Sequence, residues 1–219
     1  MPTQTKENYL KAAYFLNQRK EAISITELSK AMKVSKPTAN NMVKKLMDNN
    51  WVIYEKYKPL ELTDNGKKIG ALIVRKHRLT EMFLTEVMGF GWEEVHDIAE
   101  EMEHLNSEKL FDRMDEILGF PTTDPHGSPI PDKNGKIAKP NYLNLTKIKE
   151  GEKVKVSALT KSSKELLLFL NKKNIKLGTE IQILQIEDFD KSVEIKLNNT
   201  VETVLSFDVC QCLLVELID

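Results

Sequence analysis

Between His77 and Leu105 the chain gathers side chains that bind divalent cations. The second half of this stretch, from Glu93 to Leu105, has a helical period. At about 100° per residue, Val95, Ile98, Ala99, Met102 and Leu105 share one arc. His96, Glu100, Glu103 and His104 share another, roughly 100° wide, and Glu101 points away from it. Two imidazoles and two carboxylates therefore converge while the helix keeps an apolar face to dock. Upstream, His77 and Glu81 form an i,i+4 pair on one helical face. Imidazole with carboxylate is the ligand set of a borderline-to-hard divalent metal. A glutamate-rich helical face is more often plain solvated surface. Histidine usage tips the balance: three of the chain's four histidines (His77, His96, His104) fall in this one constellation.

The elements that must position these groups lie in a chain of 219 residues, enough for two domains or three small ones. No window of about 18 apolar residues occurs, so no membrane span is expected. Met1 to Glu7 contains no apolar stretch, which argues against secretion and for a cytoplasmic protein. Cys210 and Cys212 are too few for a zinc site. On a strand they would share one face, where a disulfide is strained, so reduced thiols are expected. The formal net charge of −1 hides an asymmetry. Residues 1–76 carry 15 Lys+Arg against 7 Asp+Glu, whereas residues 77–143 carry 6 against 14. A basic module followed by an acidic one suggests a polyanion partner in front and a cation behind.

In the basic module, residues 5–19 read as a helix. Ser24-Ile25-Thr26-Glu27 is a capping box opening a short helix. Lys33-Val34 leaves room only for a turn. Ser35 caps the next helix, with Pro37 in its first turn, where no amide hydrogen is needed. Ala39, Met42, Val43, Leu46 and Met47 form its buried stripe. Pro37, Thr38, Asn41, Lys44 and Lys45 occupy the opposite face. Trp51–Lys56 and Leu60–Thr63 alternate like two strands around Tyr57-Lys58-Pro59. This is a winged helix-turn-helix, and duplex DNA is the expected partner.

A long helix follows from Thr63 or Asp64 to Val87, then the ligand-bearing helix, then a third from Ser107 to Leu118. Their apolar faces call for a symmetric dimer interface. Residues 119–145 hold five of the eight prolines and read as extended linker, with His126 a solvated side chain. Beyond it the period changes from 3.6 to 2. Residues 153–156, 181–186, 193–197 and 213–217 read as strands, with a helix from Ser162 to Lys173. A small, bent, five-stranded SH3-like barrel fits the length. The expected domains are thus 1–76, 77–143 and 144–219, mainly α with small β.

These stretches resemble the diphtheria-toxin-repressor family of metal-dependent repressors over essentially the whole chain. The resemblance is carried by Glu7-Asn8-Tyr9-Leu10, Ser35-Lys36-Pro37-Thr38, Tyr54-Glu55-Lys56-Tyr57, Leu62-Thr63 with Gly66, Arg78-Leu79 after His77, and Val95-His96-Asp97 through Glu103-His104. Gly119-Phe120-Pro121 and Gly127-Ser128-Pro129-Ile130-Pro131 match the family's linker. It implies a homodimer with two metal sites per subunit. One would use His77, Glu81 and His96, completed by Glu165 from the third domain. The other would use Asn8, Glu100, Glu103 and His104. Iron-sensing members carry Cys and Met where this chain has Glu100 and Asn8, and manganese-sensing members carry Glu and Asp. Glu100 thus looks like the manganese group, Asn8 matches neither, and Lys11 cannot ligate a cation. Hardness points the same way, since oxygen ligands without a thiolate suit Mn(II), with Fe(II) the alternative.

On this reading metal-loaded dimers bind operator DNA, and the controlled genes are those of metal uptake. Ser35, Pro37, Thr38, Asn41, Lys44 and Lys45 form the DNA surface, with Thr38 and Asn41 at base edges. Two other classes compete. Glu101-Met102-Glu103-His104 contains one Glu-x-x-His, but di-metal carboxylate enzymes need two such motifs on four long helices. A winged-helix sensor of an organic ligand or of redox state has only Cys210-Gln211-Cys212 for support. Asn41→Ala is expected to relax base preference. Lys44→Ala is expected to weaken all sequences alike and lower the salt slope by about one unit. Unchanged binding by both variants in a salt titration places the recognition surface elsewhere.

Overall fold

Why the N-terminal helices stop and start where they do is visible in their caps. The computed structural model describes residues 3–20, 22–56 and 58–218. Helix α1 spans Gln4–Asn17, α2 Ile25–Ala31 and α3 Lys36–Asp48. Ser24 accepts from the Glu27 amide while the Glu27 carboxylate accepts from the Ser24 amide, the reciprocal cap expected from sequence. Ser35 Oγ accepts from the Thr38 amide, and Pro37 sits in the first turn of α3. The turn between α2 and α3 is closed by Lys33 at φ 53°. Tyr9, Leu10, Ala13, Leu28, Ala39, Val43 and Leu46 are buried together, so α1, α2 and α3 share one core.

Strand β1 (Val52–Ile53) pairs antiparallel with β2 (Glu61–Leu62), and Ile23 bridges to Leu60. The ladder is shorter than the alternation predicted. Glu55 O accepts from the Lys58 amide in a turn, and Pro59 has no N–H to offer. Tyr57, at the predicted wing tip, lies outside the described residues. Helix α4 then runs Asp64–Glu86, α5 Val95–Met102 and α6 Glu108–Ile117, the last capped by Ser107. Glu103 and His104, expected on the ligand helix, fall in the turn that follows α5.

The chain divides into two compact units. The first holds the residues up to Thr80 with Ala99–Phe120 and Ile130–Ala138. The second holds Glu81–Ile98, Pro121–Pro129 and the chain from Lys139 on. In the second unit, β3 (Leu143–Asn144), β4 (Lys153–Leu159), β5 (Glu180–Ile186), β6 (Val193–Leu197), β7 (Val201–Leu205) and β8 (Leu213–Ile218) form one antiparallel sheet. Its order is β3-β8-β4-β5-β6-β7, and α7 (Lys164–Lys172) connects β4 to β5. Register shifts near Val156 and near Ile183 bend the strands, as a small barrel-like module requires. The core is aliphatic: Val154, Val156, Leu167, Leu170, Ile181, Ile183, Ile195 and Val215. β7 escaped the sequence reading because Asn198 and Asn199 turn the chain tightly at positive φ, leaving no visible loop.

Two expectations need correction. Residues 121–129 are not solvated linker. Asp124 Oδ1 accepts from the His126 and Ser128 amides, and the Leu159 amide donates to His126 O, which ties this turn to β4. Gly127 sits at φ +82° with Ser157 O only 2.2 Å from where a Cβ would be, so the turn can close only around glycine. His126 is accordingly buried. The cysteines are not on one strand. Cys210 ends the short helix α8 (Phe207–Cys210) and Cys212 precedes β8. Both are free and buried, and burial pushes the Cys210 thiol up to about 11.

Close packing also dictates Gly66. A Cβ there would lie 1.9 Å from Trp51 O, a backbone atom that cannot swing away. Gly66→Ala is expected to destabilise the first unit by about 1–3 kcal/mol through overpacking. Urea unfolding followed by Trp51 emission in a Trp92→Phe background checks it, and an unchanged midpoint contradicts the contact.

Candidate metal centre

Glu103 is fully buried. An ionised carboxylate in that position is costly unless cations or donors surround it. The first unit supplies them. Lys11 Nζ, from α1, lies 2.8 Å from both Glu103 oxygens and 3.2 Å from Glu100 Oε1. His77 Nδ1 meets Glu103 Oε2 at 2.7 Å. His104 Nε2 lies 3.6 Å from Glu103 Oε1, and its Nδ1 meets Glu7 Oε2 at 2.5 Å. Glu103 Oε1 nevertheless accepts no well-aligned hydrogen bond: the ammonium is close but off-line. A buried carboxylate oxygen short of a donor, ringed by a second carboxylate and imidazoles, fits a divalent cation in donor chemistry and in charge. Asn8 lines the same cleft as Lys11 and Glu100, a cavity of about 450 Å³.

Each imidazole has one ring nitrogen committed. His104 Nδ1 is held by Glu7 and His77 Nδ1 by Glu103. Carboxylates fix the tautomer and aim of metal-binding histidines in this way. Glu7 was not singled out from sequence. Its position one residue before Asn8 gave no signal, because only the fold brings α1 to the turn after α5.

The second unit builds a separate cluster on Glu81, itself only 2% exposed. His96 Nδ1 lies 3.3 Å from Glu81 Oε1. Glu81, Asp124 and His126 each offer a ligand atom, all within 4.8 Å of one another. His126 Nε2–H donates to Trp92 O at 2.8 Å, which turns Nδ1 toward Glu81 Oε2, 3.8 Å away. Burial pulls the His126 pKa down, but the Glu81 carboxylate, then Asp124 and the Trp92 carbonyl, push harder the other way, and the net shift is upward. Asp124 and His126 are thus functional candidates that sequence reading missed. The signal was Asp-Pro-His-Gly, a tight-turn sequence inside what looked like linker.

The remaining predicted residues fall as follows. His77 and Glu81 stand one turn apart on α4. Glu165 is exposed on the first turn of α7, whose N-cap is Ser163, and its carboxyl is held low by its own amide and by Ser163. Ser162, Ser163 and Lys164 line a cavity with His96, Trp92 and Asp97, and Glu165 does not. Ser35, Pro37, Thr38, Asn41, Lys44 and Lys45 are all exposed on α3 or its cap. Asn40, beside them, accepts from Tyr54 Oη at 2.9 Å, which braces the helix against the wing.

Comparison with known proteins follows the same divisions. The family profile described as iron dependent repressor, N-terminal DNA binding domain, matches residues 1–60. The iron dependent repressor metal binding and dimerisation domain matches residues 63–132, and the FeoA domain matches residues 143–217. The chain is 33% identical over 159 residues to the iron-dependent repressor IdeR of Mycobacterium tuberculosis, 69% of each chain. It is 35% identical over 120 residues to the transcriptional regulator MntR of Bacillus pumilus, 55% of this chain and 83% of that one. Among solved structures, a manganese-dependent transcriptional repressor in complex with manganese matches with a TM-score of 0.84 at 29% identity, covering 97% of this chain and 100% of that one.

Asp124→Ala should release two backbone amides and cost the second unit about 1–3 kcal/mol. It should also shift the emission of Trp92, whose ring stacks on His126 with centroids 6.0 Å apart. Urea denaturation followed by fluorescence in a Trp51→Phe background reads both. Wild-type stability and emission would mean that Asp124 does not hold the turn.

Proposed function

Because this chain belongs to the iron-dependent, diphtheria-toxin-repressor family of metal-dependent transcriptional repressors, we propose that it is a homodimeric repressor activated by Mn(II) at two sites per subunit. It is a regulator and not an enzyme, as its relatives are. The observation that carries the manganese reading is the donor set around Glu103. Carboxylate, imidazole and amide oxygen are present, and both thiols are far along the chain at Cys210 and Cys212. Oxygen-rich sets favour Mn(II) over softer ions, with selectivity left to geometry and supply.

One site is assigned to Asn8, Glu100, Glu103 and His104, with Glu7 orienting His104. The other is assigned to Glu81 with His77 and His96, and Asp124 and His126 are added to its candidates. A bound divalent ion supplies a Lewis-acidic centre that draws these donors to one point. Asn8 belongs to the DNA-binding module, and the acidic donors follow α4. Drawing them together fixes α1, and through its shared core with α3 the recognition surface Thr38–Asn41–Lys44. In a two-fold dimer the two copies of α3 would then sit about one helical turn of DNA apart, about 34 Å. Exposed Leu105, Ile117 and Phe120 in the first unit supply apolar surface for such a dimer. Controlled genes are assigned to metal uptake. Among the described residues no helix is long and apolar enough to cross a membrane.

Anaerobic DNA-binding titrations test metal identity. Mn(II) should activate at micromolar levels, with Fe(II) weaker or comparable. Activation by Fe(II) alone would overturn the manganese assignment. Calorimetry with and without operator DNA tests the bridge. Asn8→Ala should spare the Glu81 site yet shrink the metal–DNA coupling, typically about 5–150-fold in such systems. Full coupling in Asn8→Ala would make Asn8 a structural residue of α1.

A further inference from the structure

The ammonium of Lys11 stands where a cation belongs. It is equidistant, at 2.8 Å, from both oxygens of buried Glu103, and it reaches Glu100 as well. Its side chain is only 12% exposed, so it is a near-buried charge and not a surface pair of little consequence. Two carboxylates facing one ammonium leave the pocket one positive charge short of neutral. The orphaned Glu103 Oε1 marks the same deficit in hydrogen bonding. A divalent ion would correct both, but it cannot share the bite of Glu103 with an ammonium: at such separations like charges repel strongly in a poorly solvated site.

We propose that Lys11 is an internal competitor for the metal. Its ammonium offsets part of the charge of Glu100 and Glu103 in the metal-free protein, a divalent ion enters only by displacing it, and Lys11 thereby sets the metal concentration at which the repressor switches. This rests on the reading that Glu100, Glu103 and His104 hold a metal. The side chain has somewhere to go. The cleft of about 450 Å³ that Lys11 itself lines has Ala12, Phe15, Leu16 and Met32 as an apolar wall for the aliphatic stem, and with Arg19 and Lys33 also lining it the displaced ammonium would turn out to water. The exchange also changes what activation means. Lys11 and Glu7 already tie α1 to the turn after α5 through ion pairs with Glu103 and His104. The metal-free protein therefore has a weaker link of the same topology, and the ion replaces one positive charge by two.

The experiment compares wild type with Lys11→Met, which keeps the stem and removes the charge, and with Lys11→Arg, which keeps the charge. Mn(II) isotherms are recorded by calorimetry, with Glu103→Gln identifying the heat that belongs to this site. Thermal melts are recorded in chelator and in saturating Mn(II). Lys11→Met should tighten the Glu103-dependent site roughly 5–150-fold, the range of typical linkage between two ligands, and Lys11→Arg should not. In chelator Lys11→Met should melt below wild type, and saturating Mn(II) should close that gap. Unchanged or weaker Mn(II) binding by Lys11→Met, with the Glu103-dependent heat still present, overturns the competitor role alone. Absence of any Glu103-dependent heat in wild type and Lys11→Met overturns both this proposal and the metal assignment beneath it.

Discussion

A carboxylate with no exposure to solvent organises the first unit. Lys11, His77 and His104 surround Glu103 in the interior. Buried charges of this kind contribute little net stability, since desolvation offsets most of the attraction. Their consequence is specificity: removing any partner leaves an uncompensated charge, so α1, α4 and the turn after α5 are held to one arrangement. The partners come from residues 11, 77 and 104, widely separated along the chain. Glu103 thus ties α1 to the acidic segment through Lys11, beside the separate Glu7–His104 pair.

The same economy appears in the second unit. Glu81 is buried and faces His96 on one side and His126 on the other. Backbone groups fix the orientation of both partners' surroundings: Trp92 O holds His126, and the amides of His126 and Ser128 hold Asp124. Asn171 of α7 accepts from the Trp92 indole, so the loop before α5 is anchored to the C-terminal sheet module by a direct hydrogen bond. The FeoA-like module is thus attached to the Glu81 cluster by named bonds, and Trp92 is the residue they share.

The proposed manganese preference and the proposed switch would draw on one feature, a donor set of oxygen and imidazole. With oxygen and imidazole donors, affinity for an early first-row ion such as Mn(II) would be moderate, and an internal ammonium would be a competent rival. A thiolate at position 100 would bind softer metals too tightly for such a rival to matter. On that proposal Glu100 and Lys11 would work together, one as hard ligand and one as internal cation.

Much was determined by sequence alone. The two caps at Ser24 and Ser35, the stripe Ala39–Val43–Leu46 and the exposed face opposite it follow from local hydrogen bonding and the 3.6-residue period, and so the winged helix-turn-helix was legible. The same period grouped His96 with Glu100, Glu103 and His104, but His96 instead meets Glu81 in the second unit, and Glu103 and His104 lie just past the helix end. What only the tertiary structure decided are contacts between residues distant in sequence. That Glu7 meets His104 and Lys11 meets Glu100 and Glu103 could not be read from periodicity, which says which way a helix faces and not what it meets. His126 looked like a linker side chain because proline content reports extended backbone and is silent on burial. A turn closed by Asp124 and Gly127 carries that backbone against β4, and only this packing turns a polar residue in a loop into a buried imidazole beside Glu81.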